Sequence, residues 1–149
     1  MKQLQVSAIK DGTVIDHIDS KSTFKVASIL NILEEGRVVL IGMNLSSGQL
    51  GEKGIIKIEG KNLTQEEANK IALIAPDATL NIIKDYEVVE KRRVSLPEEL
   101  IGIVKCFNPN CISNHEKVKT HLHVIRKTPL RLRCHYCERC MEGKDIELL

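Results

Sequence analysis

The chain has 149 residues, 42 % of them apolar but only 3 % aromatic, with a formal net charge of +2. That length suits one ordinary domain or two small ones, with cores built from Ile, Val and Leu. No apolar run approaches the roughly 20 residues that span a bilayer, and MKQLQVSAIKDG lacks the long apolar stretch and small-residue cleavage site of a signal peptide. A cytoplasmic location is therefore the expectation. In that compartment clustered thiols serve as metal ligands or redox groups more often than as disulfides. Charge is unevenly spread. Residues 1–100 carry 13 Lys/Arg against 15 Asp/Glu, whereas residues 101–149 carry 9 against 5. The step coincides with the stretch that holds all five cysteines and suggests two domains, 1–96 and 97–149.

In chain order, LQVSAI (4–9) and TVIDHI (13–18) read as extended segments around a KDG turn. Asp19 and Ser20 then offer caps to an amphipathic helix whose stripe is Val26, Ile29, Leu30 and Leu33, with Gly36 just past its end. RVVLIGMNL (37–45) is a buried strand, SSGQLGEKG (46–54) a glycine-rich connection and IIKIE (55–59) another strand. Thr64 with Glu67 three residues on is a capping box, behind which Ala68, Ile71, Ala72 and Ala75 form one apolar stripe that Pro76 ends. TLNII (79–83) and YEVVEKRRV (86–94) are two strands around Lys84-Asp85. The order β-α-β-β-α-β, with one extra strand, predicts an α+β domain: a split βαβ sheet with both helices on one face. Its other face is apolar too, so either a second copy covers it, the homodimer expected here, or the other domain does.

SLPEE (95–99) is a connection. Beyond it lie the short strands VKC, KTHLHVIRK, LRLRC and DIELL, an all-β unit too small to bury a sufficient core without a staple. The cysteines supply one. Cys106 and Cys111 are separated by four residues, Cys134 and Cys137 by two. Two short-loop pairs give four thiolates around one tetrahedral ion, the arrangement of structural zinc, with an iron–sulfur site or a rubredoxin-like iron site as the alternative. Cys140 is the spare and is read as free, although CxxCxxC also permits it as a ligand. His115, His121 and His123 alternate with polar residues and read as solvated surface, and His135 lies inside the knuckle pointing away from it. A closed four-sulfur site leaves no open position for metal catalysis.

The N-terminal domain has no GxGxxG after a strand, no P-loop and no nucleophile pair. What stands out are Asp16-His17, the cluster Lys91-Arg92-Arg93 and Lys57 within IIKIE. An ammonium in an Ile-rich strand is costly unless it meets an anion or the wet face of the sheet. Residues alone reach no further than an anion site on this domain.

Several long motifs are collinear with one family. LQVSAIKDGTVIDHI, IGMNLSSGQLGEKGIIKIE, APDATLNIIKDYEVVEKRRVSLPE and CFNPNCISNHE…CHYC together resemble the regulatory chain of aspartate carbamoyltransferase over essentially the whole sequence. The resemblance implies a ferredoxin-like allosteric domain joined to a zinc-ribbon-like domain with four cysteine ligands. It implies no catalysis by this chain, but a role in pyrimidine biosynthesis: linking catalytic trimers and passing on the binding of CTP, ATP or UTP. By the same resemblance Ala8 and Ile9 present backbone to the base, Val14 and Ile83 wall the pocket, and Tyr86 and Val88 give main-chain contacts. Asp16 and Lys57 meet ribose and base, His17 and Lys91 the phosphates, and Asn81 lines the pocket. Lys53 is placed toward a second nucleotide, and Asn108 and Asn110 toward the catalytic chain. Ser7 and Gln49 stand where the family carries acidic residues, which bears on effector preference.

Two rival readings have their own signatures. A zinc-ribbon nucleic-acid module would use Lys117, Lys119, Arg126, Lys127, Arg131, Arg133 and Arg139, but aromatics for base stacking are nearly absent. A dithiol oxidoreductase would use CHYC, but such a motif opens a helix and has no second cysteine pair to chelate with.

Overall fold

The computed structural model describes residues 8–32, 36–48 and 51–149. The chain forms two compact units, 1–95 and 96–149. Among the described residues no helix is long and apolar enough to cross a membrane.

In the first unit Ile-rich stretches of period two become strands, and the helices cover one face of the sheet. β1 (Gly12–Asp19), β2 (Val39–Ser47), β3 (Gly51–Glu59), β4 (Thr79–Lys84) and β5 (Glu87–Arg93) form one sheet in the order β2-β3-β1-β4-β5. Every pairing is antiparallel. With α1 (Thr23–Ile29) and α2 (Gln65–Ile74) between strands, this is the expected split βαβ arrangement, with β5 added at one edge. Ile15, Ile18, Ile56, Ile58 and Leu80 turn toward the helices and join Val26, Ala27, Leu30, Ala68, Ile71 and Ala75 in the main core. The opposite parity puts Val14, Ile55 and Ile83 in a second, smaller cluster, joined by Ile9 from outside the strands, that contains no helix residue.

Several local expectations change. The capping box is present: Glu67 N–H donates to Thr64 Oγ1 and Thr64 N–H to Glu67 Oε1, each at 3.1 Å. The first helix is shorter than its stripe suggested and uses neither Asp19 nor Ser20 as a cap, because a 3-10 turn at Ser20–Ser22 precedes it. The Ser20 hydroxyl is taken instead by Asn44, accepting from its N–H at 2.7 Å and donating to its Oδ1 at 2.9 Å. Asn31, at φ 51°, takes the left-handed position after the helix that Gly36 was expected to hold. The supposed glycine-rich connection is mostly strand, since β2 runs to Ser47 and β3 starts at Gly51. Ala8 and Ile9 have no regular structure, and residues 4–7 of LQVSAI lie outside the described residues, as do Leu33, Ser7 and Gln49. Tyr86 belongs to the turn rather than to the strand, because Asp85 and Tyr86 both have positive φ, the hairpin geometry that matches strand twist.

The second unit holds a four-stranded antiparallel sheet, β10-β9-β8-β6, built from β6 (Glu99–Ile101), β8 (His121–Lys127), β9 (Leu130–Cys134) and β10 (Cys140–Glu142). β7 (Val104–Lys105) pairs separately with β11 (Glu147–Leu148). Its buried apolar side chains are few: Leu100, Ile103, Val104, Leu122, Leu132 and Met141, together with Cys106, Cys111 and Cys134. A third of that set is cysteine, so the sulfurs are part of the core itself.

Candidate metal centre and effector face

Two tight turns bring the four cysteines together. Cys106 follows β7, and the chain turns back through a Cys111 N–H to Asn108 carbonyl bond of 3.0 Å. Cys134 ends β9, where its carbonyl accepts from Glu138 N–H at 3.0 Å and its N–H donates to Arg139 at 2.9 Å. Glu138 has φ 64°, which closes the loop that carries Cys137. The sulfurs of Cys106 and Cys137 are 3.7 Å apart and those of Cys111 and Cys134 3.6 Å. One ligand atom from each of the four falls within 4.8 Å of the others. A tetrahedral ion with metal–sulfur bonds of about 2.3 Å requires sulfur separations of about 3.8 Å. The donor set and its spacing therefore fit a structural metal of the zinc type. Cys140, paired with Arg133 across β10 and β9, is not one of the four.

The electrostatics agree. Burial raises the Cys106 and Cys134 thiols, and neighbouring thiols raise them further. Burial also acts against ionising Cys137, but the Arg139 N–H, the Asn108 side chain and the Cys106 and Cys134 thiols outweigh it and bring Cys137 down to about 7. One negative charge is thus accommodated and further ones are repelled. A bound dication removes that repulsion. Asn108 is buried, and its Oδ1 accepts from Asn110 N–H at 3.1 Å, so it shapes the loop and only Asn110 faces outward.

On the first unit the ladder register aligns the expected effector residues. Val14 pairs with Lys57 on one side and with Asn81 on the other, and Asn81 pairs with Lys91. Lys57, Val14, Asn81 and Lys91 therefore form one row across β3, β1, β4 and β5, on the face away from the helices. Asp16 lies two residues along from Val14 and meets Thr79, while Ile83 pairs with Val88. His17 is at φ 56° inside a β-bulge, which aims its ring at Thr79: Nδ1 is 3.1 Å from Thr79 Oγ1. Asp16 is engaged by Lys53, whose Nζ is 2.9 Å from Oδ1. Burial lowers the Lys57 pKa, with Asp16 acting in the opposite direction. Ile9 is buried behind this face and Ala8 is exposed. Tyr86 N–H is already donated to the Lys10 carbonyl at 2.9 Å, so of its main-chain groups the carbonyl is the one left for a ligand.

The histidines depart from expectation. His115 is exposed, with Nε2 2.7 Å from the Pro109 carbonyl. His121, His123 and His135 are not scattered surface residues; their rings gather in one cluster. The signal was in the sequence, because His121 and His123 are two apart on a strand and so share a face.

Comparison with known families now decides the assignment. Residues 4–95 match the family described as aspartate carbamoyltransferase regulatory chain, allosteric domain, and residues 98–147 match its metal binding domain. The chain belongs to the aspartate carbamoyltransferase regulatory chain family. It is 60 % identical over 146 residues to the regulatory chain of Thermococcus sibiricus, covering 98 % of this chain and 97 % of that one. It is 57 % identical over 148 residues to that of Pyrococcus horikoshii, with the same coverage. The bacterial regulatory chain of Parabacteroides distasonis is 51 % identical over 145 residues, 97 % of this chain and 94 % of that one. Members of this family are regulatory rather than catalytic chains. The dithiol reading fails on geometry as well, since CHYC leads from β9 into a turn and not into a helix.

Proposed function

We propose that the chain couples nucleotide effectors to the catalytic chains of aspartate carbamoyltransferase, with residues 1–96 as the effector domain and 97–149 as the docking domain. The observation that carries the first half is the row Lys57–Val14–Asn81–Lys91. Three inter-strand steps of ~4.8 Å make it about 14 Å long, enough for a nucleoside triphosphate such as CTP, ATP or UTP lying across the strands. His17 and Lys91 meet the phosphates, and Lys57 with Asp16 holds ribose and base. Val14 and Ile83 give apolar walls, Asn81 a polar one, and Ala8, Ile9, Val88 and the Tyr86 carbonyl the main-chain contacts. Lys⁺ acts here as a point-charge partner for phosphate, weakened by salt.

Cys106, Cys111, Cys134 and Cys137 hold one Zn²⁺, which crosslinks the second unit and supplies no reaction chemistry. The residues beside it supply the docking surface: Phe107, Ile112 and Val118 are exposed apolar side chains, and Asn110 is exposed among them. An exposed apolar group of this kind next to a rigid knuckle suits burial against a catalytic chain. The first unit pairs with a second copy to make a homodimer. Its sheet edges are β2 and β5, where Ile41, Val88 and Val89 are exposed. None of the five cysteines is in a disulfide, which suits a reducing cytoplasm.

The test is reconstitution with the catalytic chain, followed by CTP and ATP titration with and without a bisubstrate analogue. Coupling requires the analogue to change nucleotide affinity, typically by about 5–150-fold, and reciprocity fixes the same factor in return. Failure to assemble would overturn the docking role. Equal nucleotide affinity in both states would overturn the coupling.

A further inference from the structure

The outer face of the β6–β8–β9 sheet carries a group of side chains that the four-sulfur centre does not use. Leu122 pairs with Cys134 and both are buried, so their neighbours His121, His123 and His135 fall on the opposite face. His135 N–H donates to the His121 carbonyl at 2.8 Å, which locks the two residues side by side. The rings of His121 and His135 stack with centroids 4.3 Å apart, and His123 lies 4.7 Å from His121. His123 Nε2 is 3.0 Å from His135 Nδ1, and one nitrogen from each of the three falls within 4.8 Å of the others. Glu99, which pairs with His123 across β6 and β8, places Oε1 3.5 Å from His123 Nδ1 and 3.6 Å from His121 Nε2. His121 Nε2 is buried and makes no hydrogen bond.

We infer that His121, His123 and His135 form a second metal site, for a divalent transition-metal ion that prefers imidazole ligands, such as Zn²⁺ or Ni²⁺. Three converging ring nitrogens, with one carboxylate, Glu99, beside two of the rings, suit such ions better than Mg²⁺ or Ca²⁺, which take mainly oxygen ligands. Metal–nitrogen bonds of about 2.1 Å set tetrahedral nitrogen–nitrogen edges at about 3.4 Å, so the 3.0 Å contact needs only slight opening. The ion gives the buried His121 Nε2 a partner. Glu99 acts as a positioning residue: its carboxylate faces His123 Nδ1 and favours the tautomer with the proton on Nδ1, which leaves the Nε2 lone pair for the ion. Arg133, opposite His123 in the ladder, opposes a cation and weakens the site.

The experiment uses the full-length chain with one zinc loaded on its cysteines, and titrates Ni²⁺ by calorimetry with total metal measured afterwards. One Ni²⁺ per chain is expected to bind in a shell of nitrogen and oxygen only, by X-ray absorption, with the zinc retained. His123→Ala should lower affinity at least 30-fold. His135→Gln, which keeps the backbone N–H to the His121 carbonyl, should do the same with zinc content unchanged. Glu99→Gln should weaken binding about 10–100-fold and Glu99→Asp recover part of it, while Arg133→Gln should tighten it. Absence of nickel binding, sulfur in the nickel shell, or equal affinity in His135→Gln would each overturn the site.

Discussion

Replacing Cys111 by serine is expected to unfold residues 96–149 and to leave residues 1–95 folded. Cys111 is 1 % exposed and its sulfur is 3.6 Å from that of Cys134, so a serine oxygen there is neither soft nor ionised and the tetrahedral set is broken. Structural zinc contributes apparent binding energies of ~10–16 kcal/mol in small modules, as large as the ~5–15 kcal/mol of a whole domain's stability. Losing one ligand of four forfeits a large part of that energy, enough to exceed the margin of a unit with so thin a core. The apolar side chains left to hold the unit are Leu100, Ile103, Val104, Leu122, Leu132 and Met141, with no aromatic residue among them. Hydrogen exchange resolved by segment is the assay, with zinc content measured alongside. Amides of β8 and β9 should lose protection while those of β1, β3 and β4 keep theirs. Cys140→Ser is the control and should change neither zinc content nor exchange. Protected amides in β8 and β9 of a zinc-free Cys111→Ser chain would refute the reasoning, because the unit would then be holding itself together. Because burial keeps Cys106 and Cys134 protonated without metal, loading displaces protons, and zinc affinity should rise with pH.

Three further outcomes are expected. Gly12→Ala should cost about 2–4 kcal/mol, since φ is 143° and the new Cβ would meet the Ile58 carbonyl, whereas Gly143→Ala should be near neutral, with nothing among the described residues within 4 Å; urea midpoints separate the two. Thr64→Ala removes the capping box and should cost about 1 kcal/mol, read as a fall of roughly 4–8 °C in the Tm of the first unit. Lys57 has its folded-state pKa below the ordinary 10.5, so between the two values the unfolded chain binds more protons and stability from this residue rises with pH. A bound nucleotide polyanion on the same face favours the charged form of Lys57, so nucleotide affinity should fall as pH climbs through the lowered value, and Lys57→Arg should remove that alkaline fall.

The parts of the fold that sequence made legible are those set by local rules. Thr64 and Glu67 specify a helix start by themselves, and the Ala68–Ile71–Ala72–Ala75 stripe needs only helical period to become a buried face. Cysteine spacing is equally local in its logic, because two short loops that each present two thiolates have few alternatives to a shared ion. What was not legible depended on partners far along the chain. Ser20 was expected to cap its own helix, yet Asn44, 24 residues on, takes its hydroxyl. Asn31 and Tyr86 assumed positive φ where glycine or strand was expected, because turn geometry overrode propensity. The histidine cluster was missed for a similar reason. His121 and His123 are visibly on one face, but only the pairing of β8 with β9 brings His135 beside them.

The two units meet the same scarcity of aromatic residues in different ways, and the difference bears on how a regulatory chain can work. In the first, β-branched side chains on both faces of one sheet build two clusters, so its charged row rests on a backbone fixed by core packing. In the second, the core is thin and the sulfurs complete it, so the shape of the Phe107–Ile112 surface depends on a bound ion. The charged row of the first unit is thereby held by core packing, and the Phe107–Ile112 surface of the second by core packing completed with a metal. A treatment that strips the metal should abolish assembly without touching nucleotide binding by the isolated chain, and a nucleotide should raise the melting of the first unit without altering zinc affinity. If removing zinc also weakened nucleotide binding in the free chain, the two units would have to share a stabilising term, and the separation argued from their cores would be wrong.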